Sequence, residues 1–158
     1  MAVSLDKVDF LILQKLMEDG RASFSAIARD TNLTDVAIKK RVERLKRRGI
    51  ISGIHVNLNL KVLGYENPIF IQIRTELSKS KDVIKKLSSF DYIMELNQVL
   101  GEHNLLAKVV VPDFESAEQF LAKLGQTDGV LDVKTMVVLS EIKKGSTLPA
   151  QPLQKKIV

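Results

Sequence analysis

Seven basic side chains lie within residues 34–48, accompanied by only two acidic ones. The surplus of +5 equals the formal net charge of the whole chain, so the remaining residues are electrically balanced. Positive charge concentrated on one segment attracts nucleic-acid phosphates, and lysine and arginine also donate hydrogen bonds to base edges in the major groove. This segment is therefore the first candidate for binding chemistry. Its cations are Lys39, Lys40, Arg41, Arg44, Lys46, Arg47 and Arg48.

A run of charges is often only the solvated face of a helix, and two features weigh against that alternative. Solvated faces usually mix both signs of charge, whereas this segment is strongly biased towards one. The apolar residues Ile38, Val42 and Leu45 recur at helical spacing, so most of the cations point away from them. The pattern favours a helix that buries one side and offers a cationic side to nucleic acid.

Capping residues and apolar spacing predict two more helices before the cationic one. Only residues 30–33 separate the second helix from the third, and a short helix, a tight turn and a basic helix are typical of a helix-turn-helix. Such a motif places its second helix in the major groove of DNA. The predicted helices begin after Asp6, after Ser23 or Ser25, and after Thr34, and they end at Gly20, Asp30 and Gly49.

Position along the third helix predicts two kinds of DNA contact. Residues near its start can reach base edges, and those farther along are expected to bind phosphates. The N-cap residue Thr34 is included among the DNA-contacting residues. The predicted base contacts are Asp35, Val36, Ala37, Lys39 and Lys40, and the predicted phosphate contacts are Arg41, Arg44, Lys46, Arg47 and Arg48.

From Gly53 the apolar period changes from helical to alternating. Ile54, Val56 and Leu58 alternate with polar residues, which predicts a half-buried connector strand. The following residues read strand, helix, strand, strand, helix, strand, the order of a ferredoxin-like βαββαβ sandwich, so the predicted fold class is α+β. The predicted domains are a helix-turn-helix domain at 1–52, the connector strand at 53–65, the βαββαβ domain at 66–144 and a mobile tail at 145–158.

The predicted strands of the second domain are apolar on both faces. Leu105, Ala107 and Val109 alternate with Leu106 and Val110, although a sheet covered by helices on one side should alternate more cleanly with polar residues. We expect the second apolar face to pack against another copy of the chain in a twofold dimer. The alternative is a small sheet that is simply rich in apolar residues.

Composition argues against several other classes of protein. The chain has no cysteine and two histidines, which leaves few ligands for a metal site. It shows no catalytic motif, so we predict no catalytic residues, no metal ligands and no cofactor. It has neither a signal peptide nor an apolar run of the roughly 20 residues that span a membrane. These absences predict a cytoplasmic protein that is not an enzyme.

The ordered motifs resemble those of the Lrp/AsnC family, the leucine-responsive or feast/famine transcription regulators. The resemblance covers about residues 4–143, and the order of its motifs is more specific than any one of them. The matching stretches are Leu5-Asp6 with Asp9, Asp19 to Ser23, Leu33-Thr34, Arg41 to Leu45, Gly49 to Ile51, Leu63-Gly64, the turn at Gly101, Val111 to Asp113, and Gly129-Val130 through Thr135 to Lys143.

The resemblance implies a regulator of double-stranded DNA that dimerises through its βαββαβ domain and assembles into an octamer. It also implies an amino acid or related small molecule bound between dimers, near the turn between the second and third strands and the start of the last strand. Asn104 and Val133 stand where the family commonly has aspartate and threonine, and an ordinary hairpin turn remains the alternative reading of 101–104. The implied effector residues are Gly101, Glu102, His103, Asn104 and Thr135.

Two functions follow from the sequence. A sequence-specific regulator would place its recognition helices in successive major grooves, with half-sites about 10 bp apart. An architectural DNA-binding protein without an effector would instead coat DNA without preferred sites.

Overall fold

The computed structural model describes residues 4–143. Within this range the chain forms two compact units that divide between Asn57 and Leu58. The helices are α1 (Lys7–Glu18), α2 (Phe24–Thr31), α3 (Asp35–Arg47), α4 (Ser80–Leu87) and α5 (Phe114–Gly125), and the strands are β1 (Ile69–Thr75), β2 (Ile93–Gln98), β3 (Leu105–Val109) and β4 (Val130–Val137).

The first unit is built from α1, α2 and α3, which confirms the three predicted helices. Each begins at a predicted capping residue, whose side-chain oxygen accepts a backbone hydrogen bond from the first turn: Asp6, Ser23 and Thr34. The helices bury one apolar side each, so that the core of this unit contains residues from all three. The core side chains are Leu5, Ile12, Leu13, Ile27, Ala28, Ile38, Val42 and Leu45.

The second unit is a four-stranded antiparallel sheet with the strand order β2-β3-β1-β4. This order, with α4 and α5 in the two crossover connections, confirms the predicted ferredoxin-like arrangement. Isoleucines 69, 71 and 73 of β1 and alternate residues of β3 form its core with side chains of both helices. One face of the sheet is therefore covered within the chain.

The other face of the sheet carries apolar side chains between polar ones. Phe70 pairs across the sheet with Met136, which is 46% exposed, and Gln72 pairs with the half-buried Leu106. The predicted apolar character of both faces is thus present in the fold.

The predicted connector strand is wrong. Residues 52–59 have no regular secondary structure, and Ile54, Val56 and Leu58 are exposed, Val56 by 86%. A strand requires a neighbour to accept and donate its backbone hydrogen bonds, and the alternating pattern of this segment finds none among the described residues.

Among the helices of the described range, none is long and apolar enough to cross a membrane. The predicted tail at 145–158 lies outside the described residues.

Candidate nucleic-acid interface and effector site

The turn between α2 and α3 sets the start of the cationic helix. Asn32 adopts a left-handed conformation with φ of 54°, and the next backbone N–H, of Leu33, donates to the Ala28 carbonyl at 3.0 Å. The backbone N–H of Ala37 donates to the Thr34 hydroxyl at 3.2 Å, which caps α3. An asparagine tolerates the left-handed region better than most residues, so the sequence Asn32-Leu33-Thr34 suits this turn.

Three buried residues fix the orientation of α3. Ile38, Val42 and Leu45 pack in the core, each at most 3% exposed. At 100° per residue, the stripe directly opposite them contains Val36, Lys40, Glu43 and Arg47, all of which are exposed. Lys39 and Lys46 lie on one flank of this stripe, and Arg41 and Arg44 lie on the other.

The flank that carries Arg41 and Arg44 faces carboxylates of α1. Arg41 donates to Asp6 at 2.6 Å and to Asp9 at 2.9 Å, and Arg44 donates to both carboxylate oxygens of Asp9 at 2.8 Å. The Asp9 side chain is 3% exposed, so its charge is compensated inside the unit by the two guanidinium groups. Arg41 and Arg44, predicted as phosphate contacts, are thus engaged in joining α3 to α1.

The ion pair between Asp6 and Arg41 changes the pKa values of both groups. Burial acts to raise the pKa of Asp6, but hydrogen bonds from Arg41 and from the Asp9 backbone outweigh it and hold that pKa below its usual range. The Asp6 carboxylate, followed by Asp9, raises the pKa of Arg41. Both shifts stabilise the charged forms in the folded state.

The lowered pKa of Asp6 predicts an acid-dependent contribution to stability. Because the folded pKa lies below the unfolded one, the contribution is present above the unfolded value, about 3.8, and disappears as the pH falls through the folded value. Asp6→Asn should keep a capping oxygen but remove the charge. We expect urea unfolding to show wild type more stable than Asp6→Asn at pH 6, with the gap closing below about pH 3.8. A gap independent of pH would contradict this.

The remaining predicted DNA contacts divide into engaged and free groups. The Ser25 hydroxyl donates to the Asp35 carboxylate, which ties the first residue of α3 to α2. Ala37 is half-buried, whereas Val36 is exposed. Among residues 4–143, the cations of α3 and its C-cap with no carboxylate within 4.0 Å are Lys39, Lys40, Lys46, Arg47 and Arg48.

The predicted effector turn connects β2 to β3 and is held by Asn104. The Thr75 backbone N–H donates to Asn104 Oδ1 at 2.9 Å, and Asn104 Nδ2 donates to the Thr75 hydroxyl at 2.8 Å. The Asn104 carbonyl also accepts from the Val99 N–H at 3.0 Å. Gly101 has φ of 155°, which favours glycine. The Asn104 amide is therefore used within the fold to fix the turn against the end of β1.

Two polar side chains of the same turn face β4. The buried His103 lies with Nε2 at 2.9 Å from an Asp132 oxygen, and the hydrogen bond from this histidine is the main cause that lowers the pKa of Asp132. Glu102 lies 3.9 Å from Lys134 Nζ. An open cleft of about 290 Å³ is lined by Gln72, Val99, Leu100, Gly101, Glu102, His103, Leu106 and Lys134.

Thr135 is not brought together with the other predicted effector residues. It pairs with Ile71 on the helix-covered side of the sheet, whereas its neighbour Lys134 lies on the side of the cleft. The structure thus gathers Gly101, Glu102 and His103 at this cleft. It adds Gln72 and Lys134, which the sequence pattern alone did not single out.

The bonds of Asn104 predict a structural effect of its removal. Asn104→Ala would leave the Thr75 N–H without its partner at a site that is 4% exposed, and it should lower the free energy of unfolding by about 1–3 kcal/mol. Asn104→Asp keeps the oxygen that accepts from the Thr75 N–H, and its second oxygen can accept from the Thr75 hydroxyl, so this variant should remain closer to wild type. Thermal and urea unfolding would measure this, with Asn57→Ala as the exposed control. Equal stability of Asn104→Ala and Asn57→Ala would refute the anchoring role.

Neither site contains an assembled metal centre: within residues 4–143 no three histidine, aspartate or glutamate side chains are grouped closely enough to hold an ion.

The sequence matches two family models in the order of the two units. Residues 5–46 match the AsnC-type helix-turn-helix domain, and residues 69–148 match the Lrp/AsnC ligand binding domain.

Similar proteins agree with both models. The HTH-type transcriptional regulator Ptr1 of Methanocaldococcus jannaschii is 35% identical over 146 residues, covering 92% of this chain and 99% of that protein. The structure of AsnC from E. coli superposes with a TM-score of 0.87 at 26% identity, over 93% of this chain and all of that one. The feast or famine regulatory protein of M. tuberculosis, complexed with L-methionine, gives 0.84 at 25% identity, over 92% of this chain and 99% of that one. The chain belongs to the Lrp/AsnC family of helix-turn-helix transcriptional regulators.

Proposed function

We propose that this regulator binds operator DNA as a homodimer, with one α3 helix of each protomer in the major groove. The observation that carries the proposal is the exposed side of α3, where Lys39, Lys40 and Arg47 have no carboxylate partner among the described residues. Unpaired cations on a helix are available for phosphates and base edges. The chemistry required is binding alone, in the cytoplasm where the DNA lies, and no catalytic step is part of the proposal.

The open face of the sheet supports the homodimer. Phe70, Leu106 and Met136 lie there between polar side chains, and burying such a face against a twofold-related copy would remove it from water. A twofold dimer presents two recognition helices to a dyad-symmetric site, with half-sites about 10 bp apart. Assembly of four dimers into an octamer extends the same proposal.

We further propose an amino acid as effector at the cleft beside the β2–β3 turn. The M. tuberculosis protein was solved with L-methionine, and the cleft here offers an acid and a base to a zwitterion. Glu102 can pair with the α-ammonium group and Lys134 with the α-carboxylate, since both are exposed beside one another. The Asn104 amide is bonded to Thr75 and supplies no carboxylate, so the proposal assigns the α-ammonium group to Glu102.

Selection of bound sequences from random duplexes, followed by footprinting, tests the DNA-binding part. A regulator should enrich one sequence motif and protect discrete, dyad-symmetric sites. The two half-sites of each site should lie about one helical turn apart. Continuous, salt-sensitive protection without an enriched motif would contradict the sequence-specific regulator and support the architectural alternative.

Sedimentation and DNA binding, each measured with the twenty amino acids singly, test the effector. An effector must bind one assembly more tightly than another, so it should change both the sedimentation and the apparent DNA affinity. Glu102→Gln should abolish the response while Glu141→Gln, a change outside the cleft, should preserve it. If neither measurement changes with any of the twenty amino acids, the effector proposal is refuted and the DNA-binding proposal stands.

A further inference from the structure

The exposed stripe of α3 contains one apolar side chain. Val36 lies in the first turn of the helix and is 62% exposed, in line with Lys40, Glu43 and Arg47. An exposed valine is not unusual by itself. Its place is informative because the first turn of a recognition helix is the part that approaches base edges most closely.

Its neighbours leave Val36 as the uncommitted side chain of this first turn. The Thr34 hydroxyl accepts the Ala37 N–H, and the Asp35 carboxylate accepts the Ser25 hydroxyl. Ala37 is half-buried on the flank that faces α1. The groups free to meet a base edge are therefore Val36 and, one turn on, Lys39 and Lys40.

We propose that Val36 determines operator specificity by contacting the 5-methyl group of a pyrimidine, which is thymine in unmodified DNA. The inference rests on the proposed function. The major groove edge of a base pair offers hydrogen-bond donors and acceptors and, in T·A pairs, one methyl group. Valine cannot satisfy a donor or an acceptor, so a polar base edge opposite it would be desolvated without a partner. The 5-methyl group is the apolar part of the base edge that the valine side chain can contact without leaving a polar group unpaired.

The test begins with the enriched duplex from the selection described above. Deoxyuridine replaces each thymidine in turn, which removes one methyl group and leaves base pairing unchanged. Wild type should bind about fourfold more weakly when one position of a half-site is changed, the value expected for about 0.8 kcal/mol from one methyl group. Val36→Ala should show no loss at that position.

Two comparisons isolate the contact. Val62→Ala, an exposed valine of the second unit, should keep the wild-type response to deoxyuridine. At the sensitive position, a 5-methylcytosine·G pair should bind about fourfold more tightly than a cytosine·G pair, because the methyl group is the same. A further preference for T·A over 5-methylcytosine·G would identify thymine itself as the recognised base.

The outcomes separate the two proposals. If no sequence is enriched, the proposed function fails. If a motif is enriched but no thymidine is sensitive to loss of its methyl group, or if Val36→Ala responds as wild type does, the Val36 contact is overturned and the regulator stands.

Discussion

Replacing Lys39, Lys40 and Arg47 together with glutamine is expected to weaken operator binding at least about a hundredfold in about 0.1 M salt. These three cations are exposed on α3 and have no carboxylate partner among the described residues, so each is free to bind DNA in both protomers of the proposed dimer. Glutamine retains helix propensity, and none of the three side chains belongs to the core. The loss should therefore reflect binding rather than unfolding.

A control with the same change in net charge distinguishes local contacts from overall electrostatic attraction. Lys81, Lys85 and Lys86 are exposed on α4 in the second unit, and their joint replacement with glutamine removes the same charge. We expect a small loss for this control. Similar losses for the two triple variants would show that net charge, and not the face of α3, governs binding.

The salt dependence of binding provides a second measurement on the same variants. Each phosphate contact contributes about 0.9 to the slope of log affinity against log salt concentration. The α3 variant should have a flatter slope by about that amount for each phosphate contact removed, whereas the α4 control should keep the wild-type slope. An unchanged slope together with weaker binding would assign the three side chains to base edges.

Local patterns were sufficient to predict the helices and the succession of strands and helices along the second unit. Ile38, Val42 and Leu45 indicate the buried side of α3 because helical spacing places them on one stripe, and Thr34 indicates its start because it supplies the capping oxygen. These signals act over a few residues. The fold agrees with them because core burial and capping favour the same boundaries.

The connector shows where a local pattern fails. Alternation of Ile54, Val56 and Leu58 with polar residues satisfies the side-chain requirement of a strand, but strand formation also requires a partner backbone. The described residues supply none, so the segment has no regular secondary structure. A period of two therefore indicates which side chains could share a face, and it does not show that a sheet exists.

The sites depend on contacts that sequence spacing does not reveal. The Asn104 amide could have faced a ligand, but it bonds to Thr75, which is 29 residues away in the chain. The family resemblance groups Thr135 with the turn, but strand register directs it to the other face of the sheet. Such pairings depend on which strands are neighbours, and no local signal encodes the register of β4 against β1.

Pairing between helices also decides which cations of residues 34–48 are available to DNA. The count of cations in residues 34–48 treated all seven as available, whereas Asp6 and Asp9 engage Arg41 and Arg44. Two carboxylates three residues apart, at the N-cap and in the first turn of α1, and two arginines three residues apart on α3 form matching rows when the helices pack. That pairing could have been suggested by the spacing, but only the fold shows that the rows face each other.

Asp9→Asn is accordingly expected to lower the free energy of unfolding by about 3 kcal/mol, because it leaves two arginines beside a buried site that has lost its charge. The value lies at the lower end for a broken buried pair, since Arg44 remains 44% exposed and can be rehydrated. Asp30→Asn, which removes an exposed pair with Lys15, should change stability by less than about 1 kcal/mol. Urea unfolding of the full chain would measure both variants.

DNA binding by the same variant tests the role assigned to the two arginines. If Arg41 and Arg44 chiefly hold α3 against α1, Asp9→Asn should be less stable. At temperatures below its unfolding transition it should also gain no DNA affinity, because a less firmly held α3 would offset the attraction of the two released arginines for phosphates. If they are instead phosphate contacts that Asp9 merely restrains, the variant should keep its stability and bind DNA more tightly with a steeper salt dependence. Since Asp9 is buried and accepts hydrogen bonds from both guanidinium groups, we expect the first result.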